Sequence, residues 1–481
     1  MKTIASFLVA LFLAVTVSAQ SDVVARVHFL GGDRISTDPS SRAFTNEFTS
    51  PEARALENQT LDKLTKTFAA DFKGDAAQLR PLLDDLLSAE WTLVIRDAGG
   101  SPQYTLAMRL RDERAQLWKK NFAGIGVPFT VETGSNHWTT VNWAKTRNTP
   151  VEIAVSGMET NWLDVDLGWP RLAQLFPALR EFDFPKIAFQ VIGRGGNFEF
   201  AGKLNLSQPL PSLEPWRVPT NSIHAPFISF TAGRGMGAWL QKQSWFQPYE
   251  LQPQADQFFI WAMPRVANQS FVAEPVPNAE AALTQLYQNL SANNAWQSRF
   301  SSPVVLTLTN NMVSIGGFPF MSANVRAVHM PGSDFLVGGF FPNIARGQPL
   351  PRELFDRLNT PKLVYYHWEL TEERLKELPQ LSQLLLMVTS HRQLDGQSAS
   401  RKWLERIEPG LGNCLTIATE ASPTEIDFTR KAPAGLTAVE LTALASWLES
   451  PNFPANDLRL PPRGAGRLHR PNLPMPAPPN P

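Results

Sequence analysis

Short apolar segments that come in adjacent pairs are the feature that most limits the fold of this chain. Residues 91–96 and 104–110 flank a turn at 98–101, and similar pairs occur at 187–192 with 197–206 and at 414–419 with 425–430. Strands joined by tight turns pair antiparallel, whereas parallel strands need a long crossover. Segments with helical spacing separate these pairs. The sequence therefore predicts an α+β fold of antiparallel sheet with packed helices, rather than a doubly wound sheet.

A weak internal repeat suggests two copies of one unit. Five positions recur with one spacing of 203 residues: Asp166, Leu167, Arg171, Leu172 and Leu175 match Glu369, Leu370, Arg374, Leu375 and Leu378. In each copy the match follows an aromatic strand and precedes a Pro-x-Leu triplet and a strand pair. Preserved order over such a length is typical of duplicated units. The sequence thus predicts two similar lobes, preceded by a helical N-terminal segment.

The resulting domain hypothesis divides the chain into six parts. We expect a signal peptide at 1–19, a helical N-terminal segment at 20–87, an α+β lobe at 88–211, a proline-rich connector at 212–255, a second α+β lobe at 256–450 and a proline-rich disordered tail at 451–481. Proline fills 8 of the last 21 positions, which is typical of an extended end.

The beginning of the chain has the pattern of an export signal. Lys2 is followed by an apolar stretch from 4 to 17, and Val17-Ser18-Ala19 supplies the small side chains that a signal peptidase requires. The apolar stretch is too short for a stable membrane anchor. We therefore expect a secreted or periplasmic protein that has no membrane insertion after removal of the signal.

Composition excludes several classes of partner and chemistry. Lys plus Arg and Asp plus Glu each number 44, so the chain has no overall positive charge to attract nucleic acid. Cys414 is the one cysteine, so neither an intramolecular disulfide nor a cysteine metal cluster can form. The seven histidines are scattered without metal-ligand spacing. We therefore predict no metal, no cofactor and no catalytic residue.

Two further motifs have ordinary structural interpretations. The glycines of the sequence 233–237 follow an apolar strand, but their spacing departs from that of a dinucleotide-binding loop. Asp84 and Asp85 are adjacent, and we expect them on the solvated side of a helix rather than at a metal.

The best local candidate for a ligand site lies on the strand of each predicted lobe. Alternate residues of a strand share a face, so two triplets would each present an aromatic ring and two polar groups to a cation or a sugar. The alternative is the wet face of a half-buried sheet, where polar and apolar residues alternate by default. The six candidate ligand-binding residues are Trp162, Asp164, Asp166, Tyr365, His367 and Glu369.

Three strings of the chain, at 79–87, 162–167 and 365–370, together resemble an uncharacterised family of predicted secreted bacterial proteins without assigned function. The resemblance implies export and a bacterial source, and it brings no catalytic residues. Our leading hypothesis is a non-catalytic binding or scaffold module with an unknown ligand or envelope partner, and with a ligand cleft between the lobes. The alternatives are a secreted hydrolase of polysaccharide or peptidoglycan that uses paired carboxylates, and an envelope protein that acts through its proline tail.

Overall fold

The structure is a computed structural model of the whole chain. It describes residues 22–454 except 43–48, 73, 125–128, 135–136, 144–159, 181, 224–225, 244–245, 247–248, 265–269, 294–303, 319–320, 341–351, 377, 379–396 and 451–452. The predicted signal peptide and nearly all of the predicted proline-rich tail lie outside the described residues.

Eighteen strands of the described chain form one antiparallel sheet. Their bounds are β1 Val23–Phe29, β2 Trp91–Asp97, β3 Pro102–Arg109, β4 Phe129–Thr133, β5 Trp138–Trp143, β6 Leu163–Leu167, β7 Lys186–Arg194, β8 Asn197–Asn205, β9 Ser229–Arg234, β10 Gln257–Ala262, β11 Ser270–Val276, β12 Val305–Thr309, β13 Met312–Phe318, β14 Met321–Met330, β15 Ser333–Phe340, β16 Leu363–Leu370, β17 Asn413–Ser422 and β18 Glu425–Ala432.

Strand pairing runs without interruption from β4 at one edge to β12 at the other. The order is β4-β5-β3-β2-β1-β6-β7-β8-β18-β17-β16-β9-β10-β11-β15-β14-β13-β12. In the middle, β8 and β18 pair antiparallel along their lengths, with Ala201 opposite Thr429. This junction joins the strands of the first half of the chain to those of the second.

The α-helices within the described residues are α1 Gly32–Thr37, α2 Pro51–Phe72, α3 Ala76–Ser88, α4 Asp112–Ala123, α5 Trp169–Leu175, α6 Gly237–Lys242, α7 Ala279–Ala292, α8 Arg352–Leu358, α9 Ala399–Ile407 and α10 Ala438–Glu449. Their ends follow local chemistry. The Asn278 side chain accepts a hydrogen bond from Ala281 N–H to start α7, and Thr437 with Glu440 forms a capping box at the start of α10.

The long helix α2 connects two hydrophobic cores on one face of the sheet, which we call the helix face. Leu61 and Phe68 of α2 pack with α3, α4 and the strand residues Val27 and Val165. One turn earlier, Leu56 packs with α9 and α10, which cover the second half. Burial on both halves by one helix makes the sheet a single layered body on this face.

The opposite face is covered in the second half by an aromatic core. Phe230, Phe259, Trp261 and Phe335 are buried there against α8 and the segment around Ile223. Rings of this size contribute most of the buried apolar area of a core, so this cluster fixes the second half of the sheet.

The α+β class with a large antiparallel sheet is therefore confirmed. Two central strands lie in segments to which the domain hypothesis gave other roles. β1 opens the predicted helical segment 20–87 and pairs with β2 and β6, whereas β9 lies in the predicted connector and pairs with β10 and β16. No helix among the described residues is long and apolar enough to cross a membrane.

Candidate functional site

Asp164, a predicted ligand residue, contacts a buried histidine rather than open solvent. His28 lies opposite Asp164 in the β1–β6 pairing and is 0 % exposed. Its Nδ1 is 3.4 Å from Asp164 Oδ2, and its Nε2 is 3.2 Å from Glu90 Oε1. Asn161 donates to the other Asp164 oxygen at 2.7 Å. Both imidazole nitrogens thus face carboxylates, which leaves neither free to act on a ligand.

The charges around His28 compensate one another. Arg34 donates to Glu90 at 2.7 Å, and Arg109 lies 3.4 Å from the same oxygen. Burial alone would lower the pKa of His28, but hydrogen bonds to Asp164 and Glu90 raise it above its ordinary value. Burial would raise the pKa of Glu90, but hydrogen bonds from His28 and Arg34 lower it. The arrangement is an internal ion-pair network that links β1 to β6 and to Glu90, the residue before β2.

Asp166 is buried, and its hydrogen-bonding capacity is unused. It is 1 % exposed, and neither carboxylate oxygen has a hydrogen-bond partner. Lys186 Nζ lies 3.7 Å away, and Arg26 is opposite it in the strand pairing. Burial raises the pKa of Asp166 to about 7, against the lowering effect of these two cations. Burial alone therefore explains why the Asp166 carboxyl changes charge near neutral pH, and no ligand-binding cleft is needed for it.

Trp162 does not offer a free ring. It is 2 % exposed, its Nε1 donates to Asp38 at 2.8 Å, and its ring meets Phe198 edge to face at 5.3 Å. The ring also lies over Gly193, where a Cβ would overlap it. Trp162 is thus a core residue that requires glycine on the neighbouring strand.

The second triplet is also engaged inside the protein. Glu369 is 0 % exposed and accepts hydrogen bonds from Arg374 at 3.0 Å and from Ala438 N–H at 2.7 Å. Burial would raise the pKa of Glu369, but His367, Arg374 and the Ala438 N–H lower it. His367 Nδ1 is 2.8 Å from Thr231 Oγ1.

The remaining nitrogen of His367 makes no hydrogen bond; Nε2 is 3.6 Å from the nearer Glu369 oxygen. Tyr365 lies on the same strand face, and burial raises the pKa of Tyr365 to about 12. Glu369 contacts the start of α10 through Ala438 N–H, and His367 lies next to Glu369. They form part of the contact between the sheet and the helix layer.

The two triplets lie on opposite faces of the sheet. Val165, between the two aspartates, packs under α2, α3 and α4 on the helix face, so Asp164 and Asp166 point away from it. Direct strand pairs lead from Val165 through β7, β8, β18 and β17 to Tyr365 on that same helix face, together with His367 and Glu369. The six predicted residues therefore form no common site.

A shallow groove of about 400 Å³ crosses the junction between β8 and β18. Exposed Gln190, Ala201 and Thr429 form part of its floor. Glu199 lies between two cations, 3.3 Å from Arg194 and 3.3 Å from Lys431. The sequence predicted a ligand cleft between two lobes but none of these residues. Their signal in the sequence is only the alternation of small and polar residues on two hairpin strands.

Asp84 and Asp85, both expected on the solvated side of a helix, differ in their surroundings. Asp85, expected on a wet helix face, is 8 % exposed and accepts hydrogen bonds from Trp118 Nε1 at 2.7 Å and from Arg114. The sequence spacing hid this contact because Trp118 comes from another helix. Asp84 is half exposed, as expected.

One histidine, His329, contacts two carboxylates at the surface. The sequence spacing did not predict this group. His329 Nε2 is 2.6 Å from Glu280 and its Nδ1 is 2.9 Å from Asp334, and hydrogen bonds to these carboxylates raise the pKa of His329. Both nitrogens are occupied, so the group is an ion-pair bridge between α7 and the β14–β15 hairpin.

The glycine loop after β9 is already filled by the protein itself. The Asp256 carboxylate accepts from Gly235 N–H at 3.1 Å and from Gly237 N–H at 3.4 Å. These are the backbone groups that a phosphate would need. The helix that follows has only six residues. The loop therefore gives no support to a dinucleotide site.

Comparisons with known proteins leave the chain without a family. No family model matches it, and no curated protein matches it. A solved structure described as crystal form I of TP0453 is similar over 49 % of this chain and 99 % of its own, with 9 % identity and a TM-score of 0.25.

Proposed function

We propose that this protein is an exported, non-catalytic binding or scaffold protein of the bacterial envelope, built from two related halves. The observation that carries the proposal is the position of the candidate carboxylates. Asp164 and Asp166 lie on one face of the sheet, Glu369 lies on the other, and each faces a cation or a hydrogen-bond donor of the protein. Acid–base hydrolysis needs two carboxyl groups across one groove.

Strand order supports the proposal of two halves. The first half has the order β3-β2-β1-β6-β7-β8, and the second has β11-β10-β9-β16-β17-β18. In both halves the strand that comes first in the chain, β1 or β9, lies inside the order. The last hairpin, β7–β8 or β17–β18, reaches the junction. Shared order over six strands is typical of duplication. The two halves would then extend over 23–205 and 229–432.

The strand pairing also recurs, but the side chains do not keep their face. Arg26 pairs with Asp166 in the first half, and Ser229 pairs with Glu369 in the second. Ser229 is 203 residues after Arg26, and Glu369 is 203 residues after Asp166. Asp166 points away from the helix face, whereas Glu369 points toward it. If the two halves are superposed with their helices on the same side, β6 must therefore be shifted by one residue relative to β16, because a one-residue shift exchanges the faces of a strand. The proposal therefore contains one binding surface at the junction, not a ligand site in each half.

The groove at the junction is the surface we assign to the ligand. It is open, it carries both charge and apolar area, and strands of both halves supply it. Exposed Ala201 at its centre provides a position for a bulky substitution with little effect on the core.

Sedimentation with insoluble peptidoglycan tests this function. We expect wild-type protein to bind without releasing soluble fragments, and Ala201→Trp to bind at least tenfold more weakly because the indole fills the groove. Val439→Trp, at an exposed position of α10, is the matched control and should bind as wild type. Release of fragments that is lost in Asp166→Asn or Glu369→Gln would contradict the non-catalytic proposal, and equal binding by both tryptophan variants would exclude the groove.

Export is supported by the apolar segment that follows Lys2 and by the small residues at 17–19. We expect the full chain, expressed in a Gram-negative host, to yield a periplasmic protein that begins at Gln20. Mass spectrometry of the fractionated protein measures this end. A cytoplasmic product that retains residues 1–19 would contradict the proposal.

A further inference from the structure

Two strands of the described sheet have a partner on one side only, and they differ in how their free edges are protected. β4 has Glu132 within its five residues, whereas β12 consists of Val305, Leu306, Thr307, Leu308 and Thr309. Edge strands normally have a charge, a proline or a bulge that prevents pairing with another chain. β12 has none of these, and its Val305 and Leu308 side chains are 59 % and 37 % exposed.

We propose that β12 is a dimerisation edge that pairs antiparallel with β12 of a second copy of this chain. The strand is self-complementary about Thr307. In that register each Leu306 is opposite the partner's Leu308, and Thr307 of one copy is opposite Thr307 of the partner subunit. Leu306 already packs against the core under α7, so the two leucine pairs continue that core across the interface.

The hydrogen-bonding pattern of the β12–β13 hairpin allows this register. Thr309 and Met312 flank a two-residue loop, and such a flanking pair exchanges hydrogen bonds within the hairpin. Thr309, Thr307 and Val305 then use their backbone groups internally, and those of Leu306 and Leu308 point to the free edge. An antiparallel partner centred on Thr307 meets those outward groups. The sheet already contains a junction of this kind, where β8 and β18 pair about Ala201 and Thr429.

The size of the edge determines the expected strength. Two five-residue strands bury less than the roughly 1,200–2,000 Å² of a stable specific interface. The dimer should therefore be weak and reversible, with a mass that rises over protein concentrations from about 10 μM to about 1 mM.

Cysteine cross-linking tests the register directly, because the native Cys414 is buried and buried thiols react slowly. With oxidised glutathione as oxidant, we expect Thr307→Cys to form a disulfide dimer at least tenfold faster than Thr130→Cys on the edge strand β4, since facing residues of a non-hydrogen-bonded pair lie about 4.5 Å apart at Cα. Thr130 is also exposed and serves as the matched control. Equal rates for the two variants would overturn the proposal.

Sedimentation equilibrium provides the second measurement, on protein without cysteine substitutions. Leu308→Lys places a charge at the edge and should keep the protein monomeric at concentrations where wild type dimerises. Val439→Lys, at a 47 % exposed helix position, should dimerise as wild type does. Far-UV circular dichroism of both variants reports folding. A folded Leu308→Lys variant that dimerises with wild-type affinity would overturn the proposal, whatever the outcome for the ligand groove.

Discussion

Replacing Asp166 by asparagine should stabilise the protein at neutral pH and leave it almost unchanged at pH 4. Asp166 is 1 % exposed, and its carboxylate oxygens have no hydrogen-bond partner. Burial raises the pKa of Asp166 from 3.8 to about 7. In the unfolded chain the carboxyl has its ordinary pKa, so between these two values the folded state binds the proton more tightly.

The sign and the size follow from linkage. A carboxyl whose pKa is raised in the folded state contributes most favourably to the free energy of unfolding below pH 3.8. This contribution is lost as the pH rises to about 7. A difference of about three pKa units corresponds to about 4 kcal/mol of unfolding free energy, at about 1.4 kcal/mol for each unit. Asparagine carries no charge and does not lose this amount. The variant should therefore gain about 4 kcal/mol over wild type at pH 8.

Urea unfolding of wild type and Asp166→Asn at pH 4, 6 and 8 measures the difference. Burial also raises the pKa of Glu274 to about 7, but this residue is present in both proteins and cancels. Asp112→Asn, at a side chain that is 83 % exposed, is the control and should show no gain at any pH. A gain for Asp166→Asn that is the same at pH 4 and pH 8 would refute the reasoning, because it would then arise from packing and not from charge.

Three further substitutions test the internal contacts, each by urea unfolding at pH 7. Glu90→Ala should cost about 3–5 kcal/mol because it leaves a buried imidazole without one carboxylate, and a loss below about 1 kcal/mol would contradict the ion-pair network. Asp85→Ala should cost about 3 kcal/mol because Trp118 Nε1 loses its acceptor. Unchanged stability of this variant would contradict the contact and would fit a solvent-exposed Asp85. Gly193→Ala should cost about 2 kcal/mol or more, since its Cβ overlaps the ring of Trp162, and a neutral effect would show that the ring can move aside.

The fold class could be predicted because strand pairs and their turns are local in sequence. The hairpins β2–β3, β7–β8 and β17–β18 lie where alternation and turn residues indicated them. The order of those hairpins in one sheet depends on pairings such as β8 with β18, between residues more than two hundred positions apart. No periodicity records such a contact, and the domain hypothesis therefore assigned β1 and β9 to segments outside the lobes.

Alternation alone cannot resolve on which face of the sheet each candidate triplet lies. A pattern of period two states which residues share a face, but not which of the two faces meets the helix layer. Asp164 and Asp166 were correctly placed together, as were His367 and Glu369, yet the two pairs lie on opposite faces of the sheet. What covers each face, including the acceptor role of Glu369 for Ala438 N–H, is supplied by distant segments.

Burial of charge on both faces has a consequence for how this sheet can evolve a function. Ion pairs such as His28 with Glu90 contribute little net stability, because desolvation offsets most of their attraction, but removal of one partner is costly. Strands that hold such groups cannot exchange side chains one at a time. The junction hairpins also carry ion pairs, such as Glu199 with Lys431. Ala201 and Thr429 at the junction are less constrained, because their side chains are exposed. If the halves arose by duplication, side chains at this junction can change while the networks in each half keep the strands in register. This agrees with the proposal that the groove, and not the β6 and β16 strands, is the surface for a ligand.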